Sequence, residues 1–140
     1  MRYMMMFFIH PDDTAKRRDP VQAGPYSGAW TAYVGTLRAA GVFVDGNGLR
    51  PADTASVVRL RDGRRQVQDG PYADTKDELG GYVVMDVPDL DTALEWAAKC
   101  PALPLGAVEV RPVMTAPAVV EPAAIESAAA PLAAARLAGE

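Results

Sequence analysis

Cysteine occurs once, at Cys100, so no disulfide can form within the chain, and a reducing compartment suits it. Histidine is as scarce. His10 stands alone, and with scattered carboxylates it makes no readable metal set, so neither a metal nor a cofactor is implied. Positive charge is outnumbered: 14 Lys and Arg against 18 Asp and Glu leave a net charge of −4, which argues against a direct nucleic-acid partner. No apolar run approaches a membrane span, so no membrane partner is expected. Arg2 followed by the apolar Tyr3–Ile9 has the outline of a signal peptide, but the run is short. His10-Pro11-Asp12-Asp13 also stands where small cleavage-site residues belong. A cytoplasmic protein is expected.

What is present is enough for one core. The 140 residues are 49% hydrophobic and 23% charged, ordinary values for a globular domain. Composition shifts to alanine and proline near Thr115. Residues 1–114 are expected to form the domain, and 115–140 an Ala/Pro-rich C-terminal extension with few large apolar residues.

Tyr3–Ile9 reads as a strand covered on both faces, its methionines serving as core filling. His10 ends it, where catalytic bases often lie and where a polar strand terminus is the plainer reading. Pro11–Gly24 reads as a polar loop whose Lys16, Arg17 and Arg18 either contact an acidic ligand or are simply solvated. Pro25–Ala40 reads as a helix with Trp30, Tyr33, Val34 and Leu37 on one face and Gly41 as its stop. Trp30 is a candidate pocket residue as well as a core one. Val42–Val44 is a short strand, and Asp45-Gly46-Asn47-Gly48 a turn or bulge. Ser56–Arg61 and Arg64–Gln68 form a hairpin about Asp62-Gly63, with arginines at 59, 61, 64 and 65 protecting an exposed edge. Tyr82–Met85 is a central strand, and Asp89 caps a second helix whose buried face is Leu90, Ala93, Leu94 and Ala97. Cys100 reads as a packed thiol near the end of that helix. Gly106–Val113 is the last strand, with Pro112 at its end or on an edge.

Between the hairpin and the central strand, Asp69–Gly81 is the densest run of turn formers, carboxylates and a lysine. Gly70-Pro71 gives a tight turn, and Thr75 with Glu78 has the spacing of a capping box on a short turn of helix. Backbone N–H groups there, with Lys76, are suited to an anion. The surrounding Asp69, Asp74, Asp77 and Glu78 suit a solvated structural connection instead. The candidate ligand-binding set is Asp69, Gly70, Pro71, Tyr72, Thr75, Lys76 and Trp30. The candidates for acid–base work are Asp69 and His10.

The order strand–helix–strand–hairpin–strand–helix–strand predicts an α+β fold, a ferredoxin-like βαββαβ sandwich with an inserted β-hairpin. Both helices fall on one sheet face. The other is bare, and a second copy is its expected cover, giving a homodimer. A small molecule is expected between two such sheets or in a cleft between sheet and helices.

The run Asp69–Asp77, DGPYADTKD, resembles the signature of the YCII-related family in the branch named for its Asp-Gly-Pro-Phe (DGPF) motif, with Tyr72 in place of the usual phenylalanine. Gly80-Gly81-Tyr82, Asp86–Asp91, Ala97–Pro101, Val108–Pro112, Ala39–Val42 and Gly46–Pro51 resemble that branch too, so the likeness spans Met1 to about Met114. The resemblance implies a dimeric α/β-barrel superfamily fold. Some members have been suggested to use a histidine–aspartate pair. Trp30 and Cys100 stand at those positions by motif and cannot do that acid–base work, so the catalysis does not carry over. Association with an extracytoplasmic-function sigma factor is also implied. The expected protein is a small-molecule-binding dimer without established enzymatic activity. The competing readings are an accessory protein for a sigma factor, and a structural dimer whose motif only shapes its loop.

Overall fold

The computed structural model describes residues 1–115, so all but the first residue of the expected extension lies outside the described residues. Six strands and three helices follow in the order β1 (Arg2–Ile9), α1 (Pro11–Lys16), α2 (Ala23–Ala39), β2 (Phe43–Gly48), β3 (Ser56–Arg61), β4 (Arg64–Asp69), β5 (Glu78–Asp86), α3 (Leu90–Ala98) and β6 (Ala107–Pro112). A short 3-10 turn, Ala52–Thr54, precedes β3. The main sheet has the order β2-β5-β1-β6 with every neighbouring pair antiparallel, while β3 and β4 pair in a sheet of their own. This is the expected ferredoxin-like α+β fold, with the hairpin inserted between the second and third strands of the main sheet.

The core lies on one sheet face. Tyr3, Met5, Phe7 and Ile9 of β1 alternate with their neighbours and are buried together with Val83 and Met85 of β5. Tyr33 and Leu37 of α2 and Ala93 and Ala97 of α3 close over them. Met4, Met6 and Phe8 on the opposite face are half-buried, so β1 is covered on one face rather than both. The reason is that both long helices pack on the same side. The second helix buries a narrower face than its pattern implied: Leu90 and Leu94 stay exposed, and the alanines carry the contact.

Local chemistry explains the boundaries. Asp89 caps α3, its Oδ1 accepting from the Thr92 N–H at 2.8 Å. Bonds from the Thr92 hydroxyl and N–H hold the Asp89 carboxyl below its ordinary range. Gly41 stops α2 with φ +73°. Asp62 and Gly63 both take positive φ, 52° and 73°, which makes the two-residue turn of the hairpin.

Three stretches differ from expectation. The polar loop after β1 contains α1. Its N-cap is His10, whose Nδ1 accepts from the Asp12 N–H at 3.1 Å, with Pro11 opening the helix and acidic residues in its first turn. Asp45–Gly48, expected as a turn or bulge, continues β2 without a turn, and a bulge-like register shift falls between Phe43 and Asp45. The motif stretch has no helix. The Thr75 hydroxyl donates to the Asp77 carbonyl at 2.7 Å instead of capping. Glu78 enters β5, and its carboxylate accepts from the Thr14 hydroxyl at 3.3 Å and the Ala52 N–H at 3.1 Å. Those two bonds outcompete the capping box by joining three segments at once. Among the described residues, no helix is long and apolar enough to cross a membrane.

Candidate functional site

A cleft of about 580 Å³ opens between α2 and the β2–β5 half of the sheet. Its position follows from side-chain size. Gly46, Gly48, Gly80 and Gly81 line its floor, so the sheet offers backbone where side chains would otherwise meet the helix. Gly80 has no room for a side chain because Ile9 occupies that space, and a Cβ on Gly81 would meet the Asn47 carbonyl oxygen at 2.8 Å. Gly48 differs: a Cβ there meets nothing within 4 Å.

The walls are aromatic. Tyr26 and Trp30 of α2 face Phe7 and Phe43 of the sheet, with the Phe7 and Trp30 rings edge-on at 4.9 Å. Ser27, Thr31 and Val34 complete the helix side. An arginine stands at each end. Arg17, at the C-terminus of α1, donates to the Leu49 carbonyl at 3.0 Å and closes the end beside Tyr26. Arg38 lies over the Phe43 ring, 4.1 Å from its centroid, at the other end. Neither arginine has a carboxylate within ion-pair distance among the described residues. The described lining holds no histidine, carboxylate, lysine or cysteine.

The cleft takes in one of the residues expected from sequence, Trp30. Asp69 ends β4, and Gly70 turns the chain with φ +100°. Pro71, Tyr72, Thr75 and Lys76 are exposed, and none of the motif residues lines the cleft. Tyr72 is 76% exposed and sits under the Arg59 guanidinium at 5.1 Å, a contact within the hairpin region. His10 is occupied as a helix cap and does not meet Asp69 in any bond or ion pair. Cys100 is buried at 3% exposure, and burial pushes its thiol up to about 12, which makes it inert at neutral pH. Among the described residues, no group of three or more His, Cys, Asp and Glu is placed to hold a metal.

The residues missed from sequence are Tyr26 and Arg38 on the lining and Asp13 beside it, while Arg17 was legible only as one of three basic residues suited to an acidic ligand or to solvent. Asp13 is the one buried charged side chain among the described residues, 5% exposed, and Lys16 meets it at 2.8 Å. That bond raises Lys16 above its ordinary value. Burial likewise pushes the Tyr26 phenol upward, so it stays protonated as a donor. Arg17 stands in the consecutive run Lys16-Arg17-Arg18, which gave no pattern to select it, and Asp45–Gly48 read as a turn or bulge.

The fold and the cleft define a ferredoxin-like α+β domain with a pocket between its first long helix and its sheet. The chain belongs to the YCII-related family, whose domain model matches residues 1–117. It is similar to an uncharacterized protein of Rhizobium meliloti (strain 1021), 40% identical over 67 residues, which are 46% of this chain. The match spans 54% of that protein's length, about half. Among solved structures it resembles the 5-chloro-2-hydroxyhydroquinone dehydrochlorinase TftG from Burkholderia phenoliruptrix AC1100, in complex with 2,5-dihydroxybenzoquinone. The TM-score is 0.50 with 18% identity, over 83% of this chain and 96% of that one. At that identity the likeness is one of fold.

Proposed function

We propose that this YCII-related protein is a homodimer that binds a small molecule in the cleft between α2 and the sheet. The observation that carries the reading is the cleft itself, about 580 Å³ with aromatic walls and a glycine floor, the size and character of a small-molecule site. TftG, of the same fold, was solved holding a planar six-membered ring, a shape that suits an aromatic-lined cleft with a glycine floor. The described lining is aromatic and glycine-rich with an arginine at each end, a make-up that suits holding a small molecule. The Asp69–Asp77 signature supports membership of the DGPF branch, and the single buried thiol fits a cytoplasmic location. Residues 1–114 act as the domain.

The dimer reading rests on the sheet face away from the helices. Met4, Met6, Phe8, Val84 and Leu79 share it, and a second copy covers it face to face. Ligand-detected amide shifts test the cleft: they are expected on α2, Gly46–Leu49 and Gly80–Val83. Shifts confined to the Gly70–Asp77 loop return the site to the motif and overturn the cleft. A monomer by light scattering at micromolar concentration overturns the dimer.

The accessory reading has one observation in its favour. Val58, Leu60 and Val67 lie on one face of the β3–β4 hairpin at 63%, 65% and 55% exposure, and β3–β4 is the shortest of sheets, open on both edges. A protein partner such as an extracytoplasmic-function sigma factor would seat on that face. Co-purification with the sigma factor that Val58→Asp abolishes supports this reading, and the absence of a complex ends it.

A further inference from the structure

The cleft's electrostatics name a ligand class. We infer that the cleft takes a flat aromatic anion, with its ring over the glycine floor beside Trp30 and its charged group on Arg17. This deepens the small-molecule reading above and rests on it.

Four observations meet at the Arg17 end. First, Arg17 is half-buried and anchored through one Nη donor on the Leu49 carbonyl, which fixes the guanidinium and leaves most of its five N–H donors for another acceptor. Second, the nearest buried carboxylate, Asp13, is neutralised by Lys16 at 2.8 Å and is not part of the lining, so Arg17 carries the uncompensated charge there. Third, Tyr26 stands on the same lining with a phenol that burial keeps protonated, a second donor for an anionic oxygen. Fourth, Gly48 stands at this end of the floor, where a Cβ would meet nothing within 4 Å, so a ring has open space beside Arg17.

Arg38 is not the anchor. It is exposed and its guanidinium faces the Phe43 ring, so water screens its charge and an anion there gains little. The described lining offers no carboxylate to bind a cation and no histidine or lysine to act on the ligand. The apolar stretch between the ends, from Phe7, Trp30, Val34 and Phe43, matches a ring and not a sugar or a phosphate chain.

The test uses 2-naphthoate and its neutral amide, 2-naphthamide, titrated calorimetrically into the full chain. The acid is expected to bind at least about tenfold more tightly than the amide, as a charge-assisted bond to a guanidinium requires. That preference is expected to shrink as potassium chloride is raised. Arg17→Gln is expected to remove the preference by weakening the acid alone, while Arg38→Gln retains it. Equal binding of acid and amide to the unmodified protein overturns the anion inference and leaves the cleft reading standing. Loss of the preference in Arg38→Gln and not Arg17→Gln overturns the assignment to Arg17. Binding of neither probe overturns both the inference and the cleft reading. The acid-to-amide ratio in the unmodified chain needs no variant, so a poorly folding Arg17→Gln does not decide the outcome.

Discussion

The Tyr33 hydroxyl donates to the Trp96 carbonyl at 2.8 Å, across 63 residues, and so ties α2 to α3 inside the core. Tyr33 is 5% exposed, and burial holds its phenol protonated well above the ordinary range. The Trp96 carbonyl also accepts from the Lys99 N–H at 3.2 Å, so the hydroxyl is a second donor on it. Tyr33→Phe keeps the ring and removes the donor. A loss of about 1 kcal/mol is expected in urea unfolding, with the same slope against denaturant. An unchanged midpoint means that the bond contributes nothing net.

Cys100 makes stability depend on alkaline pH. Its thiol is pushed up to about 12 by burial, against 9.0 for the exposed group. Above pH 9 the unfolded chain releases a proton that the folded chain keeps, so rising pH favours unfolding. The contribution is whole below pH 9 and is lost progressively toward pH 12. Tyr33, also raised by burial, adds a fall of the same sign starting near pH 10. Thermal midpoints are expected to drop across this window, less steeply in Cys100→Ala. Native protein is expected to resist thiol reagents at neutral pH. Reaction at the rate of a free thiol counts against the buried placement.

Glu78 pins the hairpin to the body. Removing its carboxylate in Glu78→Ala leaves the Ala52 N–H without its acceptor and releases Thr14. A loss of about 1 kcal/mol is expected, with amide exchange accelerating at the 3-10 turn and the hairpin root before the core strands. Uniform acceleration through β1 and β5 contradicts a local role.

Gly48 is the cleft position with space for a side chain. In Gly48→Leu the new side chain enters the cleft, because Gly48 pairs with Gly81 and shares the helix-side face. Ligand binding is expected to fall at least about tenfold, while thermal stability is unchanged or rises slightly as a strand glycine is replaced. Full affinity in a folded variant places the ligand elsewhere.

On the bare sheet face, Met6→Lys puts a charge among Met4, Phe8 and Val84. The proposed dimer is expected to weaken by about tenfold or more, since burying the lysine costs its hydration, and Glu109, opposite position 6 and already paired with Arg111 at 2.7 Å, offsets that only in part. Light scattering over a concentration series measures it. An unaffected dimer points to another surface.

Most of the fold was legible because its signals are local. The apolar run Tyr3–Ile9 gave β1, though its continuity pointed to cover on both faces where one is buried; Asp62-Gly63 gave the hairpin turn, Gly41 the end of α2 and Asp89 the start of α3. The short helix α1 was not legible, because its residues have no apolar periodicity and its cap is a histidine. The cleft was largely hidden for a different reason. Its walls come from five separated stretches, and its floor is glycine, which leaves no side-chain pattern to read. The most conspicuous run, Asp69–Asp77, identified the family correctly and yet sits outside the cleft, where Gly70 turns the chain and Tyr72 meets Arg59. A signature can mark ancestry through a turn as readily as through a binding residue.

The hairpin divides the chain at a telling place. In the sheet order β2-β5-β1-β6, strands from before the hairpin alternate one by one with strands from after it. Its two strands carry Arg59, Arg61, Arg64 and Arg65 on exposed backbone, so trypsin is expected to nick there first. The resulting halves are interlaced like the fingers of two hands: β5 lies between β2 and β1, and β1 between β5 and β6. Neither half holds two adjacent strands of the main sheet. The nicked protein should therefore run as one particle until denatured, and two separately expressed fragments have only each other to complete a sheet. The fold is in effect a ready-made split protein.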